Sequence, residues 1–469
     1  MTVRLALAVA IVGVVAAGCG GTAELRGDVP ASASLAPADA LVFASITTEE
    51  SSPQWEAAGR LLDRIPGARA SFAEFISELE SEGTTWEADV APAIGDELVF
   101  VLTADRQVIA LVKPHDEQKL RALIAKSDRP VVLRSVSGWT AISQSESVMT
   151  AYEAALRKGT LAGSDSLADG FGALPDQTLA RLWVDVAAAT RQLGEAFQRT
   201  SQEVDLGIDW LSAAVSAEDE GIRLALGTRT PDGGGTHYEP ELFARVPADS
   251  VVALSFGGTQ GLLDRLQGSV PIDEISEQVE GATGVSLDGL LDALSGEGLL
   301  YVRTGDRIPE VTLVLAPPDA EKAWETVDRL VRSLARQTGA TVETATEDGR
   351  DVRRVAVEDV TLRYARLDED TVIVTTGAGG IRAFAADGPK LVSSDAYLRA
   401  AEEVGLGERT SGFAYVDIDG VLPLVEGLAG EDQVPPDARE VVEALDSFIL
   451  QSSADGDTTT VSGFVRLND

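Results

Sequence analysis

Thiol and imidazole chemistry have almost no material to work with in this chain. Among 469 residues there is one cysteine, Cys19, and there are two histidines, His115 and His237. A single cysteine excludes an internal disulfide framework, a CxxC redox pair and any zinc site built on several cysteines. Two distant histidines exclude the HExxH zinc helix. Lysine occurs only at 113, 119, 126, 158, 322 and 390. None follows a glycine, so the phosphate-binding loop is missing. None stands three residues after a serine, and no serine sits in a G-x-S-x-G elbow. Bases are outnumbered, 38 against 76 acids, for a net charge of −38. Such a field repels phosphate backbones and anionic lipid, which excludes nucleic acid and a basic membrane patch as partners. Six tryptophans are few for a sugar-stacking cleft, and nothing singles out a pair of carboxylates for glycoside hydrolysis. What remains is a chain of globular composition, 44% apolar and 24% charged, long enough for two or three domains.

The N-terminus carries an address. Arg4 is the only charge in residues 1–18, and the apolar run 5–17 is short for a membrane span. It ends in Val15-Ala16-Ala17-Gly18-Cys19, which resembles a bacterial lipobox, with Ala16 where leucine is commoner. The resemblance implies cleavage before Cys19 and lipidation of its thiol. The expectation is a lipoprotein signal peptide over 1–18 and an exported chain anchored on the outer face of the cytoplasmic membrane. Residues 19–36, rich in Gly, Ala, Ser and Pro, predict a flexible tether. No later apolar run reaches spanning length.

Self-comparison finds an internal repeat. Leu35-Ala36-Pro37-Ala38-Asp39 recurs as Arg245-Val246-Pro247-Ala248-Asp249, and Gly95–Phe100 recurs as Gly296–Tyr301. Thr103–Arg106 matches Thr304–Arg307, Lys113–Asp116 matches Ala316–Asp319, Gly163–Ser166 matches Ser393–Ala396, and Leu182–Val186 matches Ala414–Ile418. All six matches fall in one order. The chain is therefore expected to be two tandem divergent repeats, 37–230 and 241–469, joined by a linker at 231–240. Each copy shows a strand (Leu41–Ile46, Val251–Phe256), helical stretches (Pro53–Glu82, Thr259–Leu294), hairpins, and helices after Pro114 and Pro317. The second copy has an extra strand pair at Thr341–Val357. The class predicted is α+β, with each repeat a mixed, mostly antiparallel sheet carrying packed helices.

The Pro-Ala-Asp opening, the Gly-Asp-Glu step and the tandem layout behind a lipobox resemble the bacterial "domain of unknown function 3352" proteins. That resemblance implies an exported or membrane-attached protein. It implies no activity and no catalytic residue.

No catalytic, metal or cofactor site is assigned from sequence, and lipidation at Cys19 is the single site residue. Asp417 and Asp419 begin like a calcium loop, but the further ligands fail, so Asp419 is expected to cap a helix over 420–428. Asp39 and Asp249 suit turns, Asp165 and Asp395 suit helix caps, and Trp183 and Tyr415 suit a core. Asp455-Gly456-Asp457 and Asp368-Glu369-Asp370 suit exposed connections. The leading functional expectation is a non-enzymatic, lipid-anchored envelope protein that binds or scaffolds, its partner unknown. The alternatives are a carrier of lipid or another apolar ligand, and a hydrolase without a recognisable motif.

Overall fold

A computed structural model describes residues 28–79, 84–126, 130–197, 207–231, 237–258, 272–305, 308–357, 360–429 and 435–468. They fall into two compact units. The first draws on Glu24–Asp232, Pro435–Asp446 and Ser462–Asp469, and the second on Gly233–Val434 and Ser447–Val461.

The first unit holds β1 (Val42–Thr47), β2 (Glu97–Leu102), β3 (Val108–Val112), β4 (Val132–Val136), β5 (Trp139–Ser143), β6 (Ala180–Asp185), β7 (Trp210–Glu218) and β8 (Gly221–Arg229). β1 is central, between β2 and β6. Outward from β2 come β3, β5 and β4, and outward from β6 come β7 and β8. The second unit holds β9 (Ser250–Gly257), β10 (Glu297–Arg303), β11 (Glu310–Ala316), β12 (Val342–Glu347), β13 (Arg350–Val357), β14 (Val360–Arg366), β15 (Val372–Thr375), β16 (Gly412–Asp417) and β17 (Leu445–Asp455). Here β9 is central, between β10 and β16. β11, β15, β14, β13 and β12 follow on one side and β17 on the other. The last strand, β18 (Thr458–Leu467), adds to β8. Every one of these registered pairings is antiparallel, and helices pack on the sheets, so the class is α+β.

Period-2 patterning sets the first core. Phe43, Val99, Val101, Ile109, Leu111, Trp183 and Trp210 alternate onto one sheet face and are fully buried. Met149 and Tyr152 of the helix Glu146–Leu156, and Leu167 and Phe171 of Asp165–Gly172, close over that face. Each large side chain buried there contributes roughly 1.5–3 kcal/mol. Two of its polar groups are matched, Tyr152 Oη donating to the Leu35 carbonyl at 2.6 Å and Trp183 Nε1 to the Ser166 carbonyl at 3.2 Å, while the buried Trp210 Nε1 completes no hydrogen bond. Trp183 and Tyr415 are thus core, as expected. In the second unit the helix Ala320–Thr338 starts at Asp319, whose carboxylate accepts the Lys322 N–H at 2.9 Å, and stops at left-handed Gly339. Its Ala323, Val327, Val331 and Ala335 cover Val355, Tyr364 and Val372.

Four sequence expectations change. The tether expected through residue 36 is shorter, because Ala31–Leu35 is a 3-10 helix with Ala33, Leu35 and Ala36 buried in the first core. Small residues that suit a linker also suit tight packing. The helical stretch from Pro53 is two helices, Pro53–Arg64 and Ala68–Leu79, divided at Pro66-Gly67 where Gly67 takes φ 74°. The helix cap is Asp417, not Asp419: Asp417 Oδ1 accepts the Gly420 N–H at 3.0 Å, as Asp185 Oδ1 accepts the Ala188 N–H at 2.7 Å. Likewise Ser394, not Asp395, caps its helix, accepting the Tyr397 N–H at 3.3 Å. Both capping residues are the last extended position before the helix, where a side-chain acceptor reaches the free N–H groups.

The match of Gly95–Phe100 to Gly296–Tyr301 is also one residue out of phase along the strands. Glu97 follows Asp96, whereas Glu297 follows Gly296 directly. The pleat sets Val99 beside Leu299 in role and Val101 beside Tyr301, all fully buried.

Candidate functional site

Antiparallel sheets commonly bury one face and leave a polar face to water. These sheets do not. Opposite the first unit's core face, Ala44 faces Phe100 and Leu182, and Leu182 faces Ala213. Val42 likewise faces Leu102 and Val184. Directly opposed residues share a face, so this second face is apolar too. It is incompletely covered: Ile46 is 37% exposed, Phe100 37% and Val108 55%. The helix Glu117–Ala125 seals only one end, with Leu120 and Leu123 against Leu98, Val112 and Ile142. The second unit repeats the pattern. Leu254, 39% exposed, faces Leu300 and Ala414, while Val252 faces Val302 and Val416. In the second unit the helix Ala320–Thr338 covers the far part of this face, where Tyr364 lies opposite Val374; elsewhere the faces are aliphatic apart from Phe100 in the first unit and Phe256 and Phe448 in the second.

A second candidate is a charged cleft in the second unit, about 310 Å³, lined by Arg303, Thr304, Gly305, Glu310, Gly379, Arg382, Ala383 and Ala386. Arg303 and Glu310 end β10 and β11 directly opposite one another. The Arg303 guanidinium donates to Asp249 at 2.9 and 2.5 Å and to Glu310 Oε2 at 3.3 Å. Asp249 beside it holds the arginine above its ordinary pKa. Arg382 uses Nε alone, on Asp348 at 2.9 Å. Gly377 leaves room for Glu310, since a Cβ there would stand 2.6 Å from the carboxylate. Beneath lie buried hydroxyls. Thr312 and Thr375 share a hydrogen bond at 2.7 Å. Ser250, opposite Arg303, and Tyr301, next to Thr312, complete none with their hydroxyl oxygens. Burial pushes the Tyr301 phenol up to about 12, so it stays protonated.

Glu297, at the other end of β10, is the one carboxyl among the described residues whose pKa is raised. Burial pushes it up from the ordinary 4.5 to about 7, although it accepts the Leu242 N–H at 2.8 Å. That bond caps the three-residue turn Phe243–Arg245, a structural task.

Of the residues singled out from sequence, Cys19 lies outside the described residues. His115 pairs with Asp96 at 2.9 Å on the surface, and the His237 carbonyl accepts from Arg409, so the structure does not bring the two histidines together as a site. Asp249 joins the cleft through Arg303. Asp455–Asp457 is a turn, with Gly456 at φ 57°, and Asp368–Asp370 an exposed connection. Among the described residues no group of three His, Cys, Asp or Glu is placed to hold a metal, and no helix is long and apolar enough to cross a membrane. Arg303, Glu310 and Arg382 carried no sequence signal: the fold alone assembles them.

Comparison with solved structures finds crystal form III of TP0453 at 13% identity and TM-score 0.26, covering 48% of this chain and 93% of that one. Form I aligns at 13% and 0.27, covering 49% and 79%. No curated protein matches the chain. Residues 139–467, the whole second unit and about half of the first, match a described family, and on that match the chain belongs to the Protein of unknown function (DUF3352) family.

Proposed function

We propose that this is an envelope lipoprotein, anchored through Cys19, whose two units are divergent copies that each hold an acyl chain or similar aliphatic ligand on the second sheet face. The observation that carries the reading is the apolar face left half-open in both units. An aliphatic, weakly aromatic surface suits a flexible hydrocarbon better than a planar ring, and contiguous exposed apolar surface on a soluble body marks a binding site. The lipobox resemblance supports placement at a membrane, where such ligands are found. The acidic field supports a body that stands off the anionic bilayer. No catalytic role is assigned.

The test is native mass spectrometry of the full chain extracted in mild detergent. A reproducible acyl lipid is expected on the wild type, and its loss is expected in Phe100→Asp and Leu254→Asp. Both positions are partly exposed, so the variants keep the fold, which circular dichroism checks. A lipid-free wild type, or binding indifferent to both substitutions, rejects the reading in favour of a protein-binding scaffold. The anchor is tested separately: Cys19→Ala should leave the precursor unprocessed or release the chain from membranes.

A further inference from the structure

The cleft of the second unit stands on the core side of β10 and β11, away from the apolar second face, and its chemistry is different. Two opposite charges converge there with capacity to spare. Arg303 is fully engaged, by Asp249 and by Glu310 Oε2. It therefore fixes the Glu310 carboxylate in place while leaving Oε1 without a partner among the described residues. Arg382 commits only Nε to Asp348, and its terminal nitrogens have no acceptor among the described residues. That pair is exposed, 71% for Arg382 and 45% for Asp348, so it is weak and readily exchanged. Both side chains line the same cleft of about 310 Å³. The ion-paired set of Arg303, Arg382, Asp249, Glu310 and Asp348 has one more acid than base. A simple anion is thus disfavoured, and a ligand carrying its own cation is not.

The buried hydroxyls make this an odd place to build a core. Tyr301 and Thr312 are both 0% exposed and Ser250 is 2% exposed. The first unit fills the same strand positions with Val101, Ile109 and Ala40. Its counterparts of Arg303 and Glu310 are neutral, Thr103 and Gln107, and Gln107 is closed off by Gln144 at 2.8 Å. A buried hydroxyl without a partner costs about 1–3 kcal/mol.

We infer that the cleft binds a small zwitterion, an amino-acid-like molecule whose primary ammonium lies on Glu310 Oε1 and whose carboxylate or phosphate lies on the terminal nitrogens of Arg382. The shared chemistry belongs to free amino acids and to ethanolamine phosphate, including the ethanolamine headgroup of a lipid.

The experiment is isothermal titration of the full chain in detergent with a mixture of free L-amino acids, with O-phosphoethanolamine, and with acetate and methylamine as single-charge controls. A zwitterion should bind at least tenfold more tightly than either control. Binding by phosphoethanolamine alone assigns the headgroup source, and binding by amino acids assigns the free one. Arg382→Ala and Glu310→Gln should each weaken it tenfold or more. Arg382 is exposed, so its truncation leaves the fold intact; a thermal melt checks Glu310→Gln. Zwitterions that bind no better than the controls, or binding unmoved by Arg382→Ala, overturns the inference. Lipid retention by Phe100→Asp and Leu254→Asp is unaffected by either outcome, so the apolar-face proposal stands or falls separately.

Discussion

The two units solve the same strand order with different floors. Where the first has Val101 facing Ile109, the second has Tyr301 facing Thr312. Where the first has Ala40, the second has Ser250. In the first unit neutral Thr103 and Gln107 stand where β10 and β11 end on an arginine and a glutamate. Antiparallel pairing is indifferent to these choices, because backbone ladders carry the architecture and side chains fill whatever space it leaves. The difference shows that one unit can be tuned for packing while the other keeps polar groups buried at some cost in stability.

That comparison can be broken first at its most rigid shared step. A Cβ on Gly95 would stand 2.0 Å from the Lys113 carbonyl oxygen, and one on Gly296 1.9 Å from that of Ala316. Gly95 also sits at φ 82°, ψ −149°, a region open to glycine alone. Gly95→Ala and Gly296→Ala should each destabilise the chain by about 3 kcal/mol or more in urea melts. Tolerance of one and not the other would show that the two units do not share this step.

The next effect separates the units. Glu297 binds its proton more tightly when folded than when unfolded. Its contribution is therefore fully present below pH 4.5 and is lost as pH rises towards about 7. Glu297→Gln should stabilise by roughly 1–2 kcal/mol at pH 7.5, reduced because the group is partly solvated, with the gain shrinking towards zero at pH 4.5. Melts at the two pH values decide it; a pH-independent effect would mean that burial does not perturb the carboxyl.

Smaller effects sharpen the likeness. Asp185→Ala and Asp417→Ala remove equivalent caps and should cost about 1 kcal/mol each, read by amide exchange in the helices they start. The last belongs to the buried hydroxyls. Tyr301→Phe removes one that completes no hydrogen bond, so stability should rise by about 1 kcal/mol. A loss above about 1.5 kcal/mol would show that the hydroxyl is already satisfied in the free protein.

Sequence patterning made the strands, the core aromatics and the extra hairpin legible, because alternation and Pro-Ala-Asp turns are local signals. Trp183 and Tyr415 could be placed from their apolar neighbours alone. Cap identity was missed by one or two residues, since serine or aspartate followed by a second acid offers two plausible acceptors. The packed segment Ala31–Leu35 was missed because small residues have no periodicity to betray burial. The cleft was invisible: Asp249, Arg303, Glu310 and Arg382 come from four separate segments, and only register brings Arg303 opposite Glu310. The apolar second face was visible only as a continuous apolar run such as Leu98–Leu102, which cannot by itself distinguish a strand buried on both sides from one waiting for a ligand.

The segments Pro435–Asp446 and Ser462–Asp469 belong to the first unit, where Leu467 packs with Ala57, Leu61 and Ala217, and Arg64 donates to the Leu467 and Asn468 carbonyls. Chains usually fold N-terminal domain first during synthesis. Here the unit that emerges first is completed only by segments made after most of the second.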